Sequence, residues 1–279
     1  MTVPTLSFTA PVGPAGAPLV ILGPSLGTST ILWEDVIPAL AVRNRVVAWD
    51  LPGHGASAPA DAPFSVADLA DAVAEGARAL ADGPVSYAGV SLGGAVGLEF
   101  GLRHSELVDR LAIVASGAQL GDPAAWHERA ATVRAQSTSV LIVPSAQRWF
   151  APGSIERRPE LSGRLLHALR DADAESYARC CEALADFDVR ARLSDLRMPV
   201  LALWGEHDAV APEAKAREIG DGVAHGRVSR LAGVAHLPPA EDPAATAAAL
   251  AAFFGPASGS DGRDDDGRDD HEREQEQEQ

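Results

Sequence analysis

Cysteine is nearly absent: the 279 residues hold two, adjacent at Cys180 and Cys181. Neighbouring cysteines do not make a disulfide framework, so a stapled secreted scaffold is not expected. The pair reads as small apolar residues on a helix rather than as a redox or metal site. Long apolar runs are missing too. No stretch approaches the ~20 residues that a membrane-spanning helix needs. The opening residues, Met1-Thr2-Val3-Pro4-Thr5, carry neither the basic nor the apolar region of a secretory signal. These absences lead to an expected cytoplasmic location. Positive charge is scarce: 23 Lys and Arg stand against 39 Asp and Glu, a formal net charge of −16. That sign argues against nucleic acid or an anionic membrane as partner. It does not exclude a small anionic substrate, because charge lining a pocket can oppose the global sign.

The acidity is uneven. From Pro256 onward the chain has ten Asp and Glu and three Arg. This low-complexity stretch has nothing apolar to pack, so residues 256–279 are expected to be a disordered acidic tail. A solubilising extension is its plain reading, with a linker or partner-binding tail behind it. The remainder has the length of one large α/β domain. The 46% hydrophobic content is ordinary for a globular core.

Strand-like runs recur at Pro18 to Leu22, Arg45 to Trp49, Val85 to Gly89, Leu111 to Ala115, Val200 to Trp204 and Arg227 to Leu231. Helical patterns lie between them. One opens at Ser65 with capping-box-like spacing and carries the apolar stripe Leu69, Val73, Ala77, Leu80. Strands alternating with helices predict an α/β fold, a mainly parallel sheet covered on both faces. The rhythm breaks between Gln119 and Phe187, where only helical patterns occur. This gives an expected core of residues 1–118 and 188–255, with a helical cap at 119–187 inserted between core strands. Ligands of open α/β sheets bind at the edge such a cap would cover.

The chemistry-bearing signal is Gly89-Val90-Ser91-Leu92-Gly93, between an apolar strand-like run and a helix-like run. Gly-x-Ser-x-Gly in a strand–turn–helix setting is a nucleophile elbow. The turn strains the serine and demands small residues two positions away on either side. An elbow predicts an acid and then a histidine further along the chain. Asp208, in the loop after the run Val200 to Gly205, is the expected acid, with Glu206 the other carboxylate there. His236, in a loop before a C-terminal helical pattern, is the expected base, with His207 and His225 the other histidines. An oxyanion hole needs two N–H donors aimed where negative charge develops. Leu92, after the nucleophile, is one expected donor. Leu26, in the loop Gly23-Pro24-Ser25-Leu26-Gly27-Thr28, is the other. His54, in Asp50-Leu51-Pro52-Gly53-His54-Gly55-Ala56-Ser57, reads as a support for the pocket, since no acid is placed for it.

With these pieces the chain resembles an α/β-hydrolase from about Leu6 to Phe254, and more narrowly the 3-oxoadipate enol-lactonases. The narrower resemblance rests on Ser25-Leu26-Gly27-Thr28, the elbow, Trp126 with Arg129 and Val133-Arg134, Arg148-Trp149-Phe150, Tyr177-Ala178-Arg179-Cys180-Cys181, and Asp186-Phe187-Asp188-Val189-Arg190. It departs at Leu51-Pro52 and at Pro238-Pro239-Ala240. The resemblance implies a Ser-His-Asp lactonase of aromatic catabolism, the β-ketoadipate pathway, needing no cofactor or metal. Its substrate is a small anionic enol lactone whose carboxylate wants a cation. Arg134, Arg129 and Arg148 are the candidates, Arg134 first, with Trp126 and Trp149 as apolar walls. A general carboxylesterase or cofactor-free perhydrolase on the same scaffold, and a non-catalytic ligand-binding relative, stay open. So does oligomeric state, a homo-oligomer included.

Overall fold

A computed structural model describes residues 3–255; the acidic stretch at 256–279 lies outside the described residues. Apolar runs bounded by Gly and Pro form one seven-stranded sheet. Its strands are β1 (Ser7–Phe8), β2 (Leu19–Gly23), β3 (Arg45–Asp50), β4 (Val85–Val90), β5 (Val108–Val114), β6 (Val200–Gly205) and β7 (Gly226–Leu231). The order across the sheet is β1-β3-β2-β4-β5-β6-β7. β1 lies antiparallel on the β3 edge, and the other pairs are parallel. Every residue of β2 and β4 is buried, because helices cover both faces of the sheet. That is why these strands read as continuous apolar runs rather than alternating ones. β7 is an edge strand with Arg227 and Arg230 exposed, which discourages pairing with another chain.

The longer helices are α1 (Val66–Leu80), α2 (Leu92–Arg103), α3 (Pro123–Gln136), α4 (Ile142–Trp149), α5 (Pro159–Asp171), α6 (Ala174–Ala185), α7 (Glu213–Gly222) and α8 (Pro243–Phe254). α1 opens on a full capping box: the Ser65 hydroxyl accepts from Asp68 N, and the Asp68 carboxylate accepts from Ser65 N. Its Leu69, Val73 and Ala77 are buried, while Leu80 is half-buried at the end. α2 is buried around most of its surface, since it starts behind the elbow and packs between the sheet and α1.

Between β5 and β6 the described chain contains helices and turns. α3, α4, α5 and α6 all fall in this stretch, and α3 lies along α6. Its two ends meet: Gln119 and Asp188 form an antiparallel bridge, and Val189 N donates to Ala118 O at 2.8 Å. Cys180 and Cys181 are buried on α6 as free thiols. Burial pushes both thiols up, Cys181 to about 12, so they stay protonated at neutral pH. No helix among the described residues is long and apolar enough to cross a membrane.

Candidate active site

Ser91 stands between β4 and α2 with φ 55° and ψ −116°, a backbone conformation that L-residues avoid. Close packing enforces it. A Cβ at Gly89 would run into the Gly93 carbonyl, and one at Gly93 would come within 2.5 Å of Pro24 O. Glycine at both positions therefore lets strand, turn and helix approach each other. The turn is pinned from the β5 side. Ser91 N donates to Val114 O at 3.0 Å, and the Ser116 hydroxyl donates to Ser91 O at 2.7 Å.

Asp208 follows β6 and His236 follows β7, so both arrive at the sheet edge that carries Ser91. His236 Nδ1 donates to Asp208 Oδ2 at 3.0 Å, with both residues buried. The other carboxylate oxygen, Oδ1, accepts from Val210 N at 2.7 Å and Ala211 N at 3.0 Å. Burial pushes the Asp208 carboxyl up, but the His236 charge, the His236 hydrogen bond and the two backbone donors outweigh it. The net result lies below the ordinary Asp value. Asp208 is therefore ionised at neutral pH, and its bond to Nδ1 leaves Nε2 as the ring atom available for a proton. The other residues weighed from sequence do not join this group. Glu206 is exposed and engaged by Arg230 Nη1 at 3.0 Å and Gly233 N at 3.0 Å. His207 and His225 are exposed.

Ser91 and His236 line one cavity of about 260 Å³, together with Leu26, Trp126, Arg129, Arg148, Trp149 and Tyr177. A larger groove of about 660 Å³, bordered by Arg164, His167 and Asp171, includes neither Ser91 nor His236. The loop after β2 reaches the elbow because Gly93 N donates to Pro24 O at 2.9 Å. Leu92 N lies in the first turn of α2, where no helical carbonyl faces it. Leu26 N has no acceptor among the described residues. Both N–H groups are thus available to a ligand atom.

His54 supports that loop from behind. Its Nδ1 donates to Pro52 O at 2.9 Å, which makes Nε2 the acceptor for Gly27 N at 3.3 Å. Burial drives its pKa from 6.5 to about 4, so the ring is neutral and this polarity is held. Tyr177 stacks on it with centroids 6.0 Å apart. Tyr177 also lines the cavity, a placement the sequence reading missed; a lone aromatic on an amphipathic helix carries no signal that separates core from pocket wall.

The arginines divide. Arg129 and Arg148 line the cavity, and among the described residues neither has a carboxylate partner. Arg129 lies over the Trp126 ring at 4.8 Å. Arg148 has its pKa lowered, first by burial and then by repulsion from Arg129. Arg134, the first choice from sequence, is corrected. Its guanidinium forks onto Glu175, at 2.8 and 2.9 Å, and onto Glu182, away from the cavity. Those two carboxylates on α6 already satisfy it, which sequence spacing within α3 could not reveal. Trp126 and Trp149 both wall the cavity. Among the described residues no group of three or more His, Cys, Asp or Glu is placed to hold a metal ion.

Comparison with known proteins agrees with this architecture. Residues 18–243 match the alpha/beta hydrolase fold family. The chain is 32% identical over 236 residues to 3-oxoadipate enol-lactonase 2 of Acinetobacter baylyi, covering 85% of this chain and 88% of that one. It is 30% identical to 3-oxoadipate enol-lactonase 1 of the same organism, covering 71% and 74%. The crystal structure of the enol-lactonase from Burkholderia xenovorans superposes with a TM-score of 0.85 at 28% identity, covering 89% of this chain and 95% of that one. A strained serine after β4, with an acid after β6 and a histidine after β7, is thus carried by a chain that belongs to the alpha/beta hydrolase fold family.

Proposed function

We propose that this hydrolase opens 3-oxoadipate enol-lactone, or a lactone of the same anionic class, through an acyl-enzyme on Ser91. The observation that carries the reading is the pair Arg129 and Arg148, half-buried and, among the described residues, without carboxylate partners, in the cavity that also holds Ser91 and His236. Two guanidiniums in so small a space repel each other, and a ligand carboxylate relieves that repulsion while filling their donors. The similarity to two enol-lactonases supports the same substrate class.

The chemistry follows from the residues. Ser91 Oγ attacks the lactone carbonyl carbon while His236 Nε2 takes the hydroxyl proton. Asp208 stabilises the resulting imidazolium. The N–H groups of Leu26 and Leu92 hold the tetrahedral oxyanion. Collapse breaks the ring C–O bond and expels an enolate, which takes the proton from the His236 imidazolium and becomes a ketone, leaving His236 neutral. A water molecule then attacks the acyl carbonyl with His236 as base. The Ser91 C–O bond breaks, the hydroxyl recovers its proton, and a carboxylate leaves. The balance consumes one water and no redox equivalent.

The test is loss of enol-lactone absorbance, run beside Ser91→Ala and a p-nitrophenyl acetate control. Fast lactone loss that vanishes in Ser91→Ala, with weak ester turnover, is the expected result. Good ester hydrolysis without lactone turnover would retain Ser91 as nucleophile, discard the lactone, and make the protein a carboxylesterase.

A further inference from the structure

Glu241 is a buried carboxylate that the mechanism above does not use. It ends the short helix Pro238–Glu241, five positions beyond His236. Each of its oxygens faces a different part of the molecule. Oε1 accepts from Ala235 N at 2.8 Å and Leu237 N at 3.4 Å, the two residues that flank His236. Oε2 accepts from Ala151 N at 2.7 Å and from the Ser154 hydroxyl at 2.8 Å, just past the end of α4. Arg157 donates in turn to the Ser154 hydroxyl at 2.8 Å, which brings a positive charge toward the buried carboxylate.

The same two segments also meet through the main chain. Trp149 O accepts from both His236 N and Leu237 N, each at 3.2 Å. The backbone that carries Arg148 and Trp149 is therefore fastened to the backbone that carries His236. A carboxylate has about four lone-pair directions, and here all are occupied by donors. No other side chain would serve. An amide in the same place would turn an N–H toward donors whichever way it faced. An alanine would leave the buried Ala151 and Ala235 N–H groups without partners, which buried donors do not tolerate without loss of stability.

From this geometry we infer that Glu241 is a positioning residue, holding the general base His236 and the substrate-facing Arg148–Trp149 segment in one register. This rests on the reading of His236 as base. Its consequence is a coupling: the substrate-facing wall cannot shift at its α4 end without carrying the His236 turn with it. Proton transfer requires Nε2 and the Ser91 hydroxyl to come within hydrogen-bond reach, and a displacement of about 1 Å at such a group is enough to cost about a hundredfold in rate.

The experiment measures labelling of Ser91 by a neutral fluorophosphonate, together with kcat and KM for the lactone and for p-nitrophenyl acetate. Wild type, Ser91→Ala, Glu241→Gln and Ser154→Ala are compared, with circular dichroism to check folding. Folded Glu241→Gln is expected to label about tenfold to a hundredfold more slowly, with kcat reduced alike for both substrates. Ser154→Ala cuts a link on the α4 side alone, so its lactone KM rises about threefold while labelling and ester turnover stay within about twofold. A merely structural carboxylate would lower the melting temperature without splitting KM from kcat in this way. Equal labelling of wild type and folded Glu241→Gln overturns the inference and leaves the catalytic reading intact. Wild-type labelling that persists in Ser91→Ala overturns both. Should Glu241→Gln not fold, an unchanged lactone KM in Ser154→Ala overturns the coupling.

Discussion

Arg148 and Arg134 show how much one side chain's surroundings decide. Arg148 is half-buried, short of a carboxylate partner among the described residues, and has its pKa lowered by burial and then by Arg129. The Arg134 pKa is raised by the hydrogen bonds its guanidinium donates to Glu175 and Glu182. Arg148→Gln is expected to raise KM for an anionic lactone by about tenfold to a hundredfold, the worth of a charged hydrogen bond. KM for a neutral aryl ester should stay put. Arg134→Gln should leave both KM values within about twofold, and its partly exposed pairs should contribute no more than about 1 kcal/mol of stability. A rise in lactone KM for Arg134→Gln, with none for Arg148→Gln, would remove Arg148 from the site. His54 makes a different prediction. Its folded pKa is about 4 against 6.5 for an ordinary histidine, so between those values the unfolded chain binds the extra proton. Stability therefore rises with pH across that window and is lost on acidification, by an amount on the order of 3 kcal/mol. In His54→Gln the melting temperature should depend less steeply on pH between those limits; parallel curves for the two proteins would show that His54 does not carry the effect.

At the scale of elements, local signals set boundaries well where the chain caps itself. The Ser65–Asp68 box starts α1 where spacing predicted a helix to start. Ser65→Ala is expected to cost about 1 kcal/mol of stability, read by chemical denaturation, with lactone turnover unchanged. A larger loss, or one accompanied by lost turnover, would mean that α1 supports the site directly. The elbow was equally legible, because Gly89 and Gly93 are demanded by backbone atoms close in sequence or at the adjoining strand end. The two-residue β1 was not, since so short a strand has no periodicity to read. The faces of α3 were not legible either. Arg129 and Arg134 are five residues apart, about 140° around a helix, so only one can face a given cavity. Which one does so depends on where α6 and its acids lie.

Across the whole molecule, Ser91, Asp208 and His236 are delivered by the ends of β4, β6 and β7 in one sheet over one continuous core. Their alignment therefore depends on the sheet as a unit, so loss of Ser91 labelling and loss of helical circular dichroism on heating should coincide. Labelling lost well below the main transition would instead point to the 119–187 helices, fastened at Gln119–Asp188 and at Trp149, loosening first. The formal charge of −16 and the arginine-lined cavity are also compatible at this scale. Surface charge acts through screening solvent over about 8–10 Å, whereas the cavity pair acts at contact.

Sequence alone determined the strand–helix alternation, the strained serine, and the order in which serine, acid and histidine follow one another. Each depends on local sterics or on periodicity along one segment. Tertiary structure decided which of several loop residues meet: Asp208 and not Glu206 against His236, and Arg129 and Arg148 rather than Arg134 beside Ser91. It also decided that Glu241, an unremarked acid in the linear chain, stands between the base and the cavity wall with all its oxygens engaged. Such pairings join residues far apart along the chain, and their geometry exists only once the sheet has brought its strand ends together.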